Sequence, residues 1–237
     1  MEKIVIANLK MNMDYNETLN YINEIDDIND KRVVICPSNI YLPLFNNKNY
    51  SLGIQNIAYE EKGAYTGETS PVQVSSMGIK YAIVGHSERR MYFNETNEIV
   101  NKKVLLGLKN NLNIVLCIGE TKTEKDSGKT EEILKEELIN SLKNVSNLEN
   151  VIIAYEPIWS IGTSVIPTIS EIDNTANYIK NIIKEYFNYD NIKVLYGGSV
   201  NENNISDINS ISSISGVLVG GASLVSEKIK MIKEVVL

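Results

Sequence analysis

The stretch KIVIANLKMNMD, residues 3–14, decides the fold. Its first half, KIVIANL, is an apolar, β-branched run that reads as a strand. A doubly wound nucleotide-binding sheet would follow its first strand with a glycine-rich turn, GxGxxG or similar, because glycine lets the backbone close on a pyrophosphate. The turn here is NLKMNMD, with no glycine at all. What remains for strands that alternate with helices is a closed barrel.

Seven similar runs follow: RVVICP (32–37), LGIQNI (52–57), YAIVGH (81–86), NIVLCIG (113–119), VIIAYEP (151–157), IKVLYGG (192–198) and GVLVGG (216–221). They lack clean polar/apolar alternation, as expected of parallel strands covered on both faces. Helical stretches separate them, clearest over 94–111, 129–145 and 170–187. In the last, Ile172, Ala176, Ile179, Ile183 and Phe187 fall three and four apart, on one face of a helix. Ser70-Pro71 followed by Gln73 predicts an N-cap, a first-turn proline and a capping-box partner for a short helix over 71–78. SEKIKMIKEVV closes the chain as a helix. Eight βα units without a break in composition predict one α/β domain over residues 1–237, a single (β/α)₈ barrel.

The 237 residues are 43% hydrophobic and 22% charged, enough to bury a sizeable core. The net charge is −7 and no long Lys/Arg run exists, which argues against nucleic acid as a partner. An anionic substrate must then be held by local groups rather than by the field of the whole protein. No apolar stretch reaches the roughly 18 residues of a membrane span. The N-terminal apolar segment is too short for a signal peptide, so a cytoplasmic location is expected. Cys36 and Cys117 lie inside β-like runs and read as reduced packing residues. The charge-rich KTEKDSGKTEE (122–132) reads as a solvated loop and helix start.

In such a barrel the chemistry sits at the C-terminal strand ends. The first strand ends in Asn8-Leu9-Lys10, the fourth in Gly85-His86-Ser87-Glu88 and the sixth in Tyr155-Glu156-Pro157. The last two end in Gly197-Gly198-Ser199 and Gly220-Gly221-Ala222. An amine, the chain's one imidazole and a carboxylate thus share a rim with two glycine-rich turns. Glycine turns after the seventh and eighth strands suit phosphate, because backbone N–H groups can approach its oxygens.

The segments NLKMN, GAYTGETS, VGHSERR, LCIGE, AYEPIWSIGT, YGGSV and VGGASL resemble, in order, the signature stretches of the triosephosphate isomerase family, from residue 8 to residue 224. The resemblance implies interconversion of dihydroxyacetone phosphate and D-glyceraldehyde 3-phosphate in glycolysis and gluconeogenesis, with no cofactor and no metal. It assigns Glu156 as the base, His86 as a neutral electrophile and Lys10 as the nearby ammonium with Asn8 beside it. Gly162, Ser199, Gly220 and Gly221 match the phosphate grip. PIWSIGTSVIPT (157–168) matches a closing lid. EEKGAYTGETS (60–70) matches a dimer loop, with Tyr65 an anchor and Thr66 reaching a neighbour's site, so a homodimer is expected. Glu88, Arg90 and Glu95 read as supporting charges.

An imidazole at the start of a helical turn is discouraged from protonating, which predicts that His86 does not titrate between pH 5 and 8. Two departures from the family pattern stand out. Leu9 replaces a tryptophan, and Ser164, Val165 and Ile166 replace the usual lid ending. The rival functional reading is a non-catalytic sugar-phosphate-binding barrel. A different phosphosugar-isomerising barrel would keep the glycine turns but lack AYEPIW and GHSERR.

Overall fold

A computed structural model of the chain describes residues 2–46, 48–163 and 165–237. Eight parallel strands close into a barrel in sequence order: β1 (Ile4–Asn8), β2 (Val33–Cys36), β3 (Ser51–Ile54), β4 (Tyr81–Val84), β5 (Asn113–Ile118), β6 (Val151–Tyr155), β7 (Lys193–Tyr196) and β8 (Gly216–Val219). Closure is the pairing of β1 with β8, from Ile4 against Gly216 to Ala7 against Val219. The (β/α)₈ expectation holds. Each strand is shorter than its apolar run, because the last residues of each run turn into the loops at the barrel mouth.

Among the described residues the α-helices are α1 (Tyr15–Glu24), α2 (Pro71–Ser76), α3 (Ser87–Phe93), α4 (Asn97–Lys109), α5 (Lys122–Asp126), α6 (Thr130–Ser141), α7 (Ile169–Phe187), α8 (Ile205–Asn209) and α9 (Ser226–Val236). Short 3₁₀ turns cover Asn39–Phe45, Ile158–Ser160 and Gly221–Leu224. The Ser70/Gln73 capping box of α2 forms as the sequence predicts. The charged stretch after residue 121 is a correction: its first part is a helix, α5, started by a Thr121/Glu124 capping box. Local side-chain caps there outweigh the absence of an apolar stripe.

Two apolar layers explain the missing alternation. Ile4 and Ile6 join Val34, Cys36, Ile83, Val115, Cys117, Ile152, Ala154, Leu195 and Leu218 in a cluster inside the barrel. Val5, Ala7, Val33, Ile35, Val84 and their counterparts pack outward against the helices. Both faces of the strands therefore largely exclude water, with partial exposure only at the first residues of β3, β4, β5 and β7. The period of two still sets direction. On β1 the inward parity of residues 4 and 6 continues to Asn8, and on β6 that of 152 and 154 continues to Glu156. Cys36 and Cys117 are buried free thiols, as expected. No helix among the described residues is long and apolar enough to cross a membrane.

Candidate active site

The C-terminal mouth holds a cleft of roughly 430 Å³. Asn8, Lys10, His86, Glu156, Gly162, Ser199, Gly220 and Gly221 all line it. Eight residues from five sequence-distant segments thus meet in one place. Tyr65 and Thr66 do not line the cleft; they lie exposed on the loop after β3. Of the lid departures, Val165 and Ile166 are exposed, and Ser164 lies outside the described residues.

Glu156 is set by register and by a glycine. It follows β6 directly, and its N–H donates to the Ile118 carbonyl at 2.8 Å. Gly119 lies so close that a Cβ there would stand 1.7 Å from the Glu156 carbonyl oxygen, so any side chain would push the strand end aside. The carboxylate is 2% exposed. Its Oε2 accepts from the Ser87 N–H at 3.1 Å, and its Oε1 lies 3.1 Å from His86 Nε2.

His86 is the residue before α3, and Gly85, at φ +71°, turns the chain so that the imidazole enters the mouth. The Glu88 N–H donates to His86 Nδ1 at 3.2 Å. An accepting Nδ1 carries no proton, so the neutral ring bears its hydrogen on Nε2, facing Glu156. Burial pushes the imidazole down, and the Glu156 carboxylate, by its charge and its hydrogen bond, lifts it; in the resting pair the lift prevails and His86 lies above its ordinary value. Burial likewise pushes Glu156 up, and His86 with the Ser87 N–H pulls it back below the usual carboxylate range. This corrects the expectation that the helix start alone keeps the ligand-free His86 from protonating between pH 5 and 8. The sequence shows the helix start but not this opposing contact, which spans two strands.

Lys10 has a left-handed backbone, φ +52°, unusual for a lysine. Its N–H donates to Asn8 Oδ1 at 3.1 Å, and its carbonyl accepts from Gln55 Nε2 at 2.8 Å and Ser38 Oγ at 3.1 Å. These three bonds offset a backbone cost of about 1–2 kcal/mol. The ammonium donates to Glu88 Oε1 at 2.5 Å.

The three supporting charges act separately. Glu88 holds Lys10 and supplies the N–H to His86. Arg90 Nε donates to the Gly85 carbonyl at 2.9 Å and Nη1 to Asn97 Oδ1 at 2.6 Å, bracing the turn before His86. Glu95 is buried against Arg89 and Lys103, outside the cleft.

On the phosphate side, Ser199 Oγ donates to the Ser160 carbonyl at 2.7 Å, tying the loop after β7 to the lid base. Gly162, at φ +67° and with open space around its Cα, gives that lid a swivel. One residue escaped the sequence reading. Glu120, at the end of β5, is 1% exposed and accepts from the Trp159 indole at 2.8 Å and the Tyr155 hydroxyl at 3.2 Å, anchoring the lid's tryptophan. Burial pushes its carboxyl up. The strand-end rule, applied to LCIGE, would have found it. Among the described residues no group of three His, Cys, Asp or Glu side chains is placed to hold a metal ion.

This arrangement can pull a proton from carbon beside a carbonyl: a buried carboxylate, a neutral N–H donor and an ammonium, next to backbone N–H groups suited to an anion. The family described as triosephosphate isomerase matches residues 3–236. The chain is 41% identical to a triosephosphate isomerase of Thermodesulfovibrio yellowstonii, covering 94% of this chain and 95% of that protein. It is 41% identical to that of Alkaliphilus oremlandii over 96% and 97% of the two chains, and 39% identical to that of Clostridium botulinum over 94% and 95%.

Proposed function

The chain belongs to the triosephosphate isomerase family, and from that premise we propose how its own residues carry the reaction. The activity is the aldose–ketose interconversion of dihydroxyacetone phosphate and D-glyceraldehyde 3-phosphate, a step of glycolysis and gluconeogenesis. The observation that carries the assignment of roles is the buried contact of His86 Nε2 with Glu156 Oε1, at 3.1 Å, in the cleft that Lys10 also lines.

Glu156 is the base. It takes a proton from the carbon beside the carbonyl, the bonding pair moves toward the carbonyl oxygen, and the same carboxyl returns the proton to the neighbouring carbon. His86 Nε2–H donates to the oxygen on which charge collects, and the Lys10 ammonium stabilises that charge. A substrate carbonyl that takes Glu156's place at Nε2 removes the carboxylate's lift on the ring. Burial, the Lys10 charge and the Glu88 N–H then favour neutral imidazole, whose acidity is closer to that of the enediol. Asn8 supports Lys10, and Gly162, Ser199, Gly220 and Gly221 hold the phosphate. The lid excludes water, which strengthens these interactions.

The binding-only reading has no observation in its favour, since base, electrophile and ammonium all line the cleft. We also propose that the protein works as a cytoplasmic homodimer, with Tyr65 and Thr66 on the shared face. Met11 (94% exposed), Tyr92 (73%) and Phe93 (63%) leave exposed apolar side chains on the loop after β1 and on α3.

The test is a coupled assay with glyceraldehyde 3-phosphate, with and without a phosphoglycolate-type inhibitor. Wild type turns over and is inhibited; Glu156→Gln loses about 10²–10⁴-fold in kcat. Turnover of the variant within tenfold of wild type would show that another group is the base.

A further inference from the structure

One charged group in the cleft has no part in the reaction as described. Lys228, on the first turn of α9, lines the same cavity as Ser199, Gly220 and Gly221. Its ammonium lies 2.7 Å from Glu202 Oε1, with both side chains partly exposed. Glu202 belongs to the segment between β7 and α8, while Lys228 follows β8 and its turn. The ion pair therefore links the two segments that carry the phosphate grip. Glu202 Oε2 is enclosed and has no hydrogen-bond partner among the described residues.

The grip otherwise consists of hydroxyl and backbone donors, which carry partial charges only. Lys10 and Lys228 are the two lysines among the residues that line the cleft, and no arginine lines it. Lys10 is committed to the reacting end, where its ammonium is held by Glu88 at 2.5 Å. A chain of net charge −7 does not attract a phosphate dianion from a distance. On the β7–β8 side, Lys228 is the one full positive charge of the lining.

We propose that Lys228 is a substrate-binding residue, a rim ammonium that draws in and helps hold the phosphate dianion, and that Glu202 is the internal carboxylate which the phosphate displaces from it. This deepens the isomerase reading and rests on it. A dianion with three equivalent acceptor oxygens outcompetes a single carboxylate for the ammonium. A neutral sugar offers no such replacement, so the pair stays closed against it. The exchange thus favours phosphate esters over unphosphorylated analogues.

The test compares Lys228→Met with Glu202→Gln in steady-state kinetics over a range of salt, with inorganic phosphate as a competing ligand. Lys228→Met raises KM for glyceraldehyde 3-phosphate about three- to tenfold at low salt, with kcat little changed, and the gap closes near 1 M salt, where the Debye length is about 3 Å. The inhibition constant of inorganic phosphate rises with it. Glu202→Gln moves both constants the other way, because it frees the ammonium. A pair that only fastens α9 to its neighbour would shift both variants in the same direction, and that result overturns the proposal. So does an unchanged KM in Lys228→Met. Phosphate binding followed by titration calorimetry needs no turnover. A wild type that binds phosphate but does not isomerise would sink the isomerase reading, while Lys228→Met binding phosphate as tightly as wild type would sink this one.

Discussion

At the residue scale, His86 and Glu156 share a proton economy that can be followed directly, because His86 is the one histidine of the chain. In the ligand-free protein its NMR midpoint is expected above the ordinary imidazole value, about 6.5. In Glu156→Gln the larger lift is gone, burial remains with only the weaker pull of the Glu88 carboxylate against it, and the midpoint is expected to fall. An unmoved midpoint would mean that the two side chains are not coupled. The same shifts set a pH window for stability. His86 is raised on folding, so its contribution is full below about pH 6.5 and is lost as pH rises through its folded value. Glu156 is lowered, so its contribution is full above about pH 4.3 and is lost as pH falls through its folded value. The pair adds most between those two limits. A pH series of urea unfolding shows this as a difference between wild type and Glu156→Gln that shrinks on either side.

The residues of this centre were legible because strand-end position and chemical type together mark them. Asn8, Lys10, His86 and Glu156 each follow an apolar run directly. What stayed hidden depends on contacts across strands. The Glu156 lift on His86, the Glu88 hold on Lys10 and the Lys228–Glu202 pair join residues that sequence spacing does not relate.

At the element scale, α7 shows how caps fix the lid. Thr168 Oγ1 accepts from the Glu171 N–H at 3.2 Å, and Glu171 Oε2 accepts from the Thr168 N–H at 2.7 Å. The cap residue Thr168 lies two residues after Ile166, so the box also anchors the far end of the lid. Thr168→Ala removes the side-chain half of the box and costs about 1 kcal/mol. For a chain of this size that lowers Tm by about 2–4 °C in calorimetry. A drop under half a degree would show that α7 is held by packing alone. The helix itself was readable from its stripe of Ile172, Ala176, Ile179 and Ile183, all buried. Helices α5 and α8, five residues each, were not. Elements that short present too few turns for a periodicity, and their buried contacts come from the barrel they lean on.

At the scale of the whole molecule, the proposed homodimer can be probed through the exposed Met11, Tyr92 and Phe93. Sedimentation at micromolar concentration is expected to give twice the chain mass. Phe93→Lys places a charge in the proposed contact and shifts the distribution toward monomer, with loss of activity. A fully active monomer would refute the role given to Tyr65 and Thr66. The closed barrel was the most legible feature, since eight apolar runs and a glycine-free first turn left few topologies. The alternation within each strand was not legible, because water is excluded from both sides.

The seam of the barrel has a consequence for how the chain is made. Ile4 finds Gly216, a partner some two hundred residues later, so the longest-range contact in the sheet is also the one that completes the ring. Until β8 exists, β1 offers an unpaired edge of consecutive apolar residues, the kind of edge that recruits other chains. The growing polypeptide thus spends most of its synthesis with its first strand waiting for a partner. Gly216 leaves no slack at that junction, for a Cβ there would sit 1.9 Å from the Ile4 carbonyl oxygen. The last strand to be synthesised is the one that ends the exposure of the first.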